Sequence, residues 1–317
     1  MTPNPLLSLA IPTYNRSEIL LENLRAMLPD LMAHQVAVFI SDDSTDDLTA
    51  QKVRALQQEY PLLTYRRNEP RHGHDANFFA TVSMPDTDYV WYLGDSLFLQ
   101  PGMLGTALEA LATHRPDLCF VNAYVHDDQT RLLEGDDVHA FLLDRTWYLT
   151  LSGATIYSRG IRMLPVEEAR KWSWKNFPQL GLILEACSRA PRRLLWLGPT
   201  GIAFNRKKSS YWLKSAFDVF VKDWTTLIRS FPTLFSRVEQ DRIIRSHAEH
   251  TQLFNLVSLL QLRAMGALTV ETLQQHRQAF AIASPIPPWW ASVVARVPVR
   301  AIHAARAVKA WRRQRKD

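Results

Sequence analysis

The 317-residue sequence predicts an α/β fold on a mostly parallel sheet with flanking helices, followed by a helical C-terminal region and an amphipathic tail helix. Three observations lead there. Through residues 6–125, apolar runs of strand length alternate with amphipathic helical segments, the pattern of βαβ units. Three of these runs stop abruptly in polar loops: residues 7–11 run into Pro12-Thr13-Tyr14-Asn15-Arg16, residues 36–40 into Ser41-Asp42-Asp43-Ser44, and residues 89–93 into Gly94-Asp95. If the strands are parallel, all three loops open at one sheet edge, where open α/β sheets bind nucleotides.

The elements follow in order. Ser17-Glu18 opens a helix that Pro29-Asp30 is expected to close, a second amphipathic stretch covers residues 48–58, and residues 118–125 read as a strand that leads into an acidic stretch from Asp127-Asp128 to Asp136-Asp137. Beyond Leu143, Trp147, Trp172, Trp174, Trp196, Trp212 and Trp224 stand among short apolar runs, where they serve either as core filler or as stacking faces for sugar rings. From Asp218 to Phe280 the apolar stripes are helical, and Pro287-Pro288 ends that region. The expected domains are therefore residues 1–215, 216–286 and 287–317.

Composition narrows the class. With 47% apolar and 21% charged residues the chain is an ordinary globular one. The only two cysteines, Cys119 and Cys187, suit a reducing compartment. Residues 1–5 have no basic start or apolar core of a leader, and no window reaches the roughly 18 uninterrupted apolar residues of a spanning helix. The formal charge of +6 is localised: from Trp289 onward eight Lys/Arg stand against one acid, so the tail accounts for +7 and the rest of the chain for −1. Within residues 289–316, Arg296, Arg300, His303, Arg306, Lys309 and Arg313 recur every three or four positions opposite Val293, Val294, Val297, Ile302, Val308 and Trp311, with a kink expected at Pro298. That pattern reads as a helix lying on an anionic membrane surface rather than as a nucleic-acid binder.

The blocks Leu9-Ala10-Ile11-Pro12-Thr13-Tyr14-Asn15-Arg16, Ile40-Ser41-Asp42-Asp43-Ser44-Thr45-Asp46 and residues 89–102, in this order and spacing, resemble the family 2 glycosyltransferases of the GT-A fold. Within that family, Gly73-His74-Asp75-Ala76-Asn77-Phe78, Leu93-Gly94-Asp95 with Pro101-Gly102, Ser152-Gly153 and Ser209-Ser210-Tyr211-Trp212 resemble the abequosyltransferase-like branch of O-antigen and capsule synthesis. Asp42-Asp43 alone would read as a strand-end turn; the conjunction of blocks reverses that.

The resemblance implies transfer of a sugar from a nucleotide diphosphate donor to a cell-surface polysaccharide or polyprenyl-linked glycan acceptor. It assigns donor binding to Pro12, Thr13, Tyr14, Asn15, Asp43, Arg71 or His72, Asn77, Asp95 and Ser96. Asp43 takes the position that accepts the base N–H, and Asp95 that of the acid near the ribose. Ser152, Gly153 and Trp174 would border the acceptor. The chain departs from the family at the metal motif: Asp95 is followed by Ser96, where a carboxylate holding Mg²⁺ or Mn²⁺ is expected, and a neutral hydroxyl is a poor ligand for a hard cation. Either the donor diphosphate holds the metal, or Arg206, Lys207 and Lys208 take over its charge, or catalysis is lost. The general base stays unassigned among Glu185, Asp136, Asp137 and Asp144. The sequence therefore leads to a cytoplasmic, peripherally membrane-bound, inverting hexosyl- or deoxyhexosyltransferase. A catalytically inactive binding or scaffold protein is the first alternative, and a sugar nucleotidyltransferase the second.

Overall fold

The computed structural model describes residues 2–205, 207 and 211–304. The chain forms two compact units, Met1–Lys208 and Ser209–Asp317.

The first unit is an α/β layer around an eight-stranded sheet. Its strands and main helices are, in chain order, β1 (Leu7–Thr13), α1 (Ser17–His34), β2 (Val38–Asp42), α2 (Leu48–Glu59), β3 (Leu63–Arg67), α3 (His74–Val82), β4 (Tyr89–Tyr92), β5 (Leu97–Leu99), α4 (Met103–His114), β6 (Leu118–Val121), β7 (Arg131–Leu133), α5 (Asp136–Arg145), β8 (Thr155–Ser158), β9 (Leu194–Leu197) and β10 (Ile202–Phe204). The sheet order is β3-β2-β1-β4-β8-β6-β9-β7, with β5 and β10 forming a separate antiparallel pair. β1, β4 and β6 are buried along their whole length, apart from one half-buried residue of β1, as expected of strands covered on both faces.

The sheet is mixed but, as predicted, mostly parallel: six of its eight strands run the same way. β3, β2, β1 and β4 pair in parallel, as do β6 and β9, but β8 runs against both β4 and β6, and β7 against β9. The chain path accounts for it: the reversed β7 ends at the edge opposite the end of β4, α5 carries the chain back across, and β8 therefore starts at the edge where β4 ends and runs reversed. Two boundaries also move. α1 continues through Pro29 to His34, because Met27 and Leu31 are buried on one face and the Tyr60 hydroxyl donates to the Leu31 carbonyl at 3.0 Å. β6 stops at Val121, where the Asn122 side chain replaces the ladder, donating to Val125 O and Gly198 O and accepting from Val125 N, each at 2.8 Å.

The second unit is helical, as its periodicity predicts. A π-helical turn, Asp218–Asp223, runs into Trp224–Arg229, followed by Arg237–Thr251, Leu256–Ala264, Val270–Gln275 and Arg277–Ala283. Ser236 and Glu239 close a capping box at the start of Arg237–Thr251, the longest described helix of this unit. Its core holds Trp224, Phe231, Phe235, Ile243, Ile244, Phe254 and Phe280, with His247 buried among them and stacked on Phe220 at 4.6 Å. Toward the tail, Pro288–Arg296 is a helix, Val297 before Pro298 is extended, and residues 299–304 are helical again. No described helix is long and apolar enough to cross a membrane. The tail positions from Arg306 to Lys316 lie outside the described residues.

Candidate active site

Because β1, β2, β3, β4, β6 and β9 run the same way, their C-terminal ends share one edge, and the loops after them form a mouth. The reversed β8 adds the loop before it, which carries Ser152 and Gly153.

The first two loops are pinned to each other. Asn15, in the left-handed region with φ 51°, donates its backbone N–H to Ser44 Oγ at 2.8 Å and accepts from Thr45 N at 2.9 Å. The Thr13 carbonyl, just past Pro12, accepts from Asp43 N at 3.0 Å. Asp42 is turned inward: it accepts from Ser44 N at 2.8 Å and from the Tyr65 hydroxyl at 2.7 Å. Burial and that carboxylate together push the Tyr65 phenol up.

Asp43 holds the third loop. Its carboxylate, only 5% exposed, accepts from Asn68 Nδ2 at 2.7 Å, His72 N at 3.1 Å and Gly73 N at 2.7 Å, which fixes the turn that starts α3. Gly73 meets the demand of that turn with φ 77°. Asn77, expected near the ribose, lies beneath the mouth instead. It is buried, and its side-chain oxygen accepts from Ser41 Oγ at 2.6 Å and Asn68 Nδ2 at 3.0 Å, tying α3 to β2. Tyr14, by contrast, stands out from its loop, 49% exposed, with the Arg71 guanidinium 5.2 Å from its ring centroid.

Asp95 is the meeting point. Its carboxylate accepts from Thr13 Oγ1 at 3.1 Å and pairs with the Arg16 guanidinium at 3.1 Å. Its carbonyl accepts from Asn23 Nδ2 at 2.8 Å, and Asn205 reaches both Asn23 Oδ1 at 3.0 Å and, through its backbone N–H, the Ser96 carbonyl at 2.9 Å. The residues do not fit a divalent metal held by protein. The Asp95 carboxylate is already paired with a guanidinium, the Ser96 hydroxyl is neutral and buried with no partner among the described residues, and no three His, Cys, Asp or Glu among the described residues could converge on an ion. Of the basic loop, Arg206 and Lys208 lie outside the described residues, as do Ser209 and Ser210. Lys207 is exposed and paired with Glu22 at 2.8 Å, which holds the Glu22 carboxyl below its usual range.

On the acceptor side, Gly153 packs tightly against the Asp95 turn. Its carbonyl accepts from Trp91 Nε1 at 2.8 Å, and a Cβ there would come within 2.6 Å of Leu97 Cδ1. Ser152 Cβ lies 3.6 Å from where Gly94 would carry one. Trp174 is not at a surface: it is fully buried against Gly181, because the helix Pro178–Arg189 has no side chain at that point to keep the indole out. Trp172, two residues earlier, is the exposed one at 81%. Its segment docks on the start of α3 through Asn176 N, which donates to the Asp75 carboxylate at 3.1 Å.

The acids considered for the general base are placed elsewhere or engaged. Glu185 is buried between Arg170 and Arg189, at 2.9 Å from each. Asp136 and Asp137 start α5 directly after β7, whose reversed direction puts them at the edge opposite the mouth. Asp144 pairs with Arg145 at 2.9 Å.

Residues 8–169, just over half the chain, match the model of glycosyl transferase family 2. Over 157 residues the sequence is 30% identical to the abequosyltransferase RfbV of Salmonella typhimurium, covering 46% of this chain and 47% of that one, so the match spans about half the length of this curated relative. The S. aureus TarS 1–349 structure superposes with a TM-score of 0.56 at 15% identity, covering 92% of this chain and 90% of that one. Its complex with UDP gives the same TM-score at 17% identity and the same coverage. The mannosyltransferase PcManGT from Pyrobaculum calidifontis, in complex with GDP-Man and Mn²⁺, gives 0.54 at 14% identity over 93% and 89%. At these identities the structural likeness establishes the fold, which is GT-A.

Proposed function

The chain belongs to glycosyl transferase family 2, and from that premise we propose that it moves one hexose or deoxyhexose from a nucleoside diphosphate donor onto a cell-surface polysaccharide or lipid-linked glycan precursor. The observation that carries the reading is the convergence of the loops after β1, β3 and β4 on one mouth, with Tyr14 and Arg71 exposed at its rim and Asp95 held at its floor by Thr13 and Arg16. Tyr14 offers a face for the base, and the remaining lone pair of Asp43 an acceptor for its N–H. An acceptor hydroxyl attacks the anomeric carbon and gives up its proton to water in the mouth, the bond to the diphosphate oxygen breaks on the opposite face with its electron pair leaving on the diphosphate, and the configuration inverts.

Charge builds up on the departing diphosphate, and preorganised cations stabilise it most in a partly desolvated mouth. Arg16 and Arg71 are cations at the mouth, and they share this role with Arg206, Lys207 and Lys208 of the basic loop. Trp289 and Trp290, stacked at 4.8 Å and exposed together with Val293 on the helix Pro288–Arg296, support attachment of the basic tail to an anionic membrane. A lipid-linked acceptor would be met at that surface, on its cytoplasmic side.

Thermal stabilisation by UDP, CDP, GDP and dTDP, each with Mn²⁺ and with EDTA, tests the reading, since a ligand of the folded state raises its midpoint by mass action. One nucleotide that stabilises equally in EDTA is the expected result. Stabilisation only with Mn²⁺ would refute the cation-assisted route. Silence from all four would favour a non-catalytic member of the family, the second reading that the single carboxylate of the Asp95 turn supports.

A further inference from the structure

Two half-exposed aromatic rings stand on the other side of β4 from Tyr14, since the sheet order puts β1 on one side of β4 and β8 and β6 on the other. Phe204, 46% exposed, lies on β10 opposite Leu97 of β5, and the next residue, Asn205, bonds the Ser96 carbonyl. Tyr124, 49% exposed, lies in the loop after β6, at the same mouth edge. The two ring centroids are 6.0 Å apart with an interplanar angle of 43°, so the rings form an open notch rather than a closed stack. Behind Tyr124 stand the buried rings of Tyr148, edge-on at 5.4 Å, and Trp147, tilted at 6.3 Å.

The support beneath the notch does not depend on either exposed ring. Asn122 fixes the loop through backbone partners, the Tyr148 hydroxyl donates to the Val121 carbonyl at 2.6 Å, and β10 is held by its ladder to β5. Filling the core would bury such rings, and the four-ring cluster buries only the inner two. Two rigid, half-exposed aromatic faces beside amide and carbonyl groups instead match the two-sided surface of a pyranose, whose C–H face is apolar and whose rim is hydroxylated.

We propose that Tyr124 and Phe204 form the platform on which the acceptor sugar lies, one ring face against the notch and its reacting hydroxyl directed to the Asp95 side. This rests on the glycosyltransferase reading and deepens it: the acceptor terminus is a pyranose with one unobstructed C–H face. The nucleotide occupies the Tyr14 and Arg71 rim, on the other side of β4.

Saturation-transfer NMR on the full chain tests it, with methyl α-D-mannopyranoside, β-D-galactopyranoside, α-D-glucopyranoside and α-L-rhamnopyranoside as probes and saturation placed on the aromatic protons. Wild type is expected to pass saturation to the ring C–H protons of at least one glycoside. Tyr124→Ala and Phe204→Ala should each reduce that transfer at least fivefold, Tyr124→Phe should keep it, and the thermal shift given by nucleotide should be the same in all four proteins. Unchanged transfer in both alanine variants, or none to any glycoside in wild type, overturns the platform. Intact glycoside transfer with weakened UDP-glucose binding in the variants would place the donor's sugar there and also overturn it. The glycoside readout needs neither turnover nor nucleotide, so it fails or holds separately from the nucleotide-binding reading.

Discussion

Asp43→Ala removes a carboxylate that does two jobs in the proposed site, and the structure sets the size of each. The side chain accepts three hydrogen bonds, from Asn68 Nδ2, His72 N and Gly73 N, in a nearly closed pocket. Bonds to a charged acceptor contribute about 1.5–3 kcal/mol each, and three sharing one carboxylate fall short of additivity, so a loss of about 3 kcal/mol is expected. For a unit of this size each kcal/mol moves the midpoint by about 2–4 °C, which gives a fall of roughly 6–12 °C in a circular dichroism melt. Nucleotide-induced stabilisation should vanish as well. Asn68→Ala is the partner experiment: it deletes one donor and leaves the carboxylate with two backbone N–H groups. It should cost about 1–2 kcal/mol and keep the nucleotide shift. A melting point for Asp43→Ala within about 2 °C of wild type would refute the structural part of the argument, given the same conversion. Loss of the nucleotide shift in Asn68→Ala as complete as in Asp43→Ala would refute the base contact, since loop order alone would then account for both.

Three further outcomes are expected. Arg16→Met should weaken nucleotide binding more than Arg16→Lys in the thermal-shift assay, since the Asp95 turn loses its cation in the first variant and keeps one in the second; equal shifts in both variants would remove Arg16 from the site. Gly181→Ala would drive a Cβ to 2.2 Å from the Trp174 ring inside a closed core and should destabilise by about 1–3 kcal/mol or more, read as a lower denaturation midpoint in urea. Burial, with His250 nearby, pushes the His247 imidazole down to about 3, so the folded state keeps it neutral while the unfolded state takes up a proton below about 6.5. Stability from this residue is complete above the unfolded value and declines as pH falls from there toward 3, by about 2 kcal/mol at pH 5. His247→Phe should flatten that part of the profile, and an unchanged acid slope would contradict it.

Much of the mouth was legible because three of its loops follow strands with unambiguous apolar runs, and an abrupt switch from Ile40 or Leu93 to acidic and small residues marks a strand end whatever the fold. The positions of Tyr14, Asp43 and Asp95 follow from that alone. Direction was not legible: nothing in residues 155–158 distinguishes a reversed β8 from a parallel one, and nothing in residues 131–133 marks the reversal of β7 that sends Asp136 and Asp137 to the opposite edge. Side-chain facing was equally hidden. Asn77 and Trp174 look available in sequence, yet one is drawn under the sheet edge by Ser41 and Asn68 and the other into the gap left by Gly181. Tyr124 read as the end of a strand and Phe204 carried no signal, since their exposure depends on Asn122 ending β6 early and on β10 pairing with β5, both of them non-local facts.

The reversed β8 also has a consequence for how the chain can be made. β4 ends at Tyr92, but the strand that covers its free side comes from residues 155–158, so a nascent chain holding only β1 to β4 presents a bare sheet edge of tyrosine, valine and tryptophan. Until more than sixty further residues have emerged, that edge is a template for pairing with another chain. Fragments cut between β4 and β8 should therefore aggregate, and expression should depend on how quickly synthesis passes that interval.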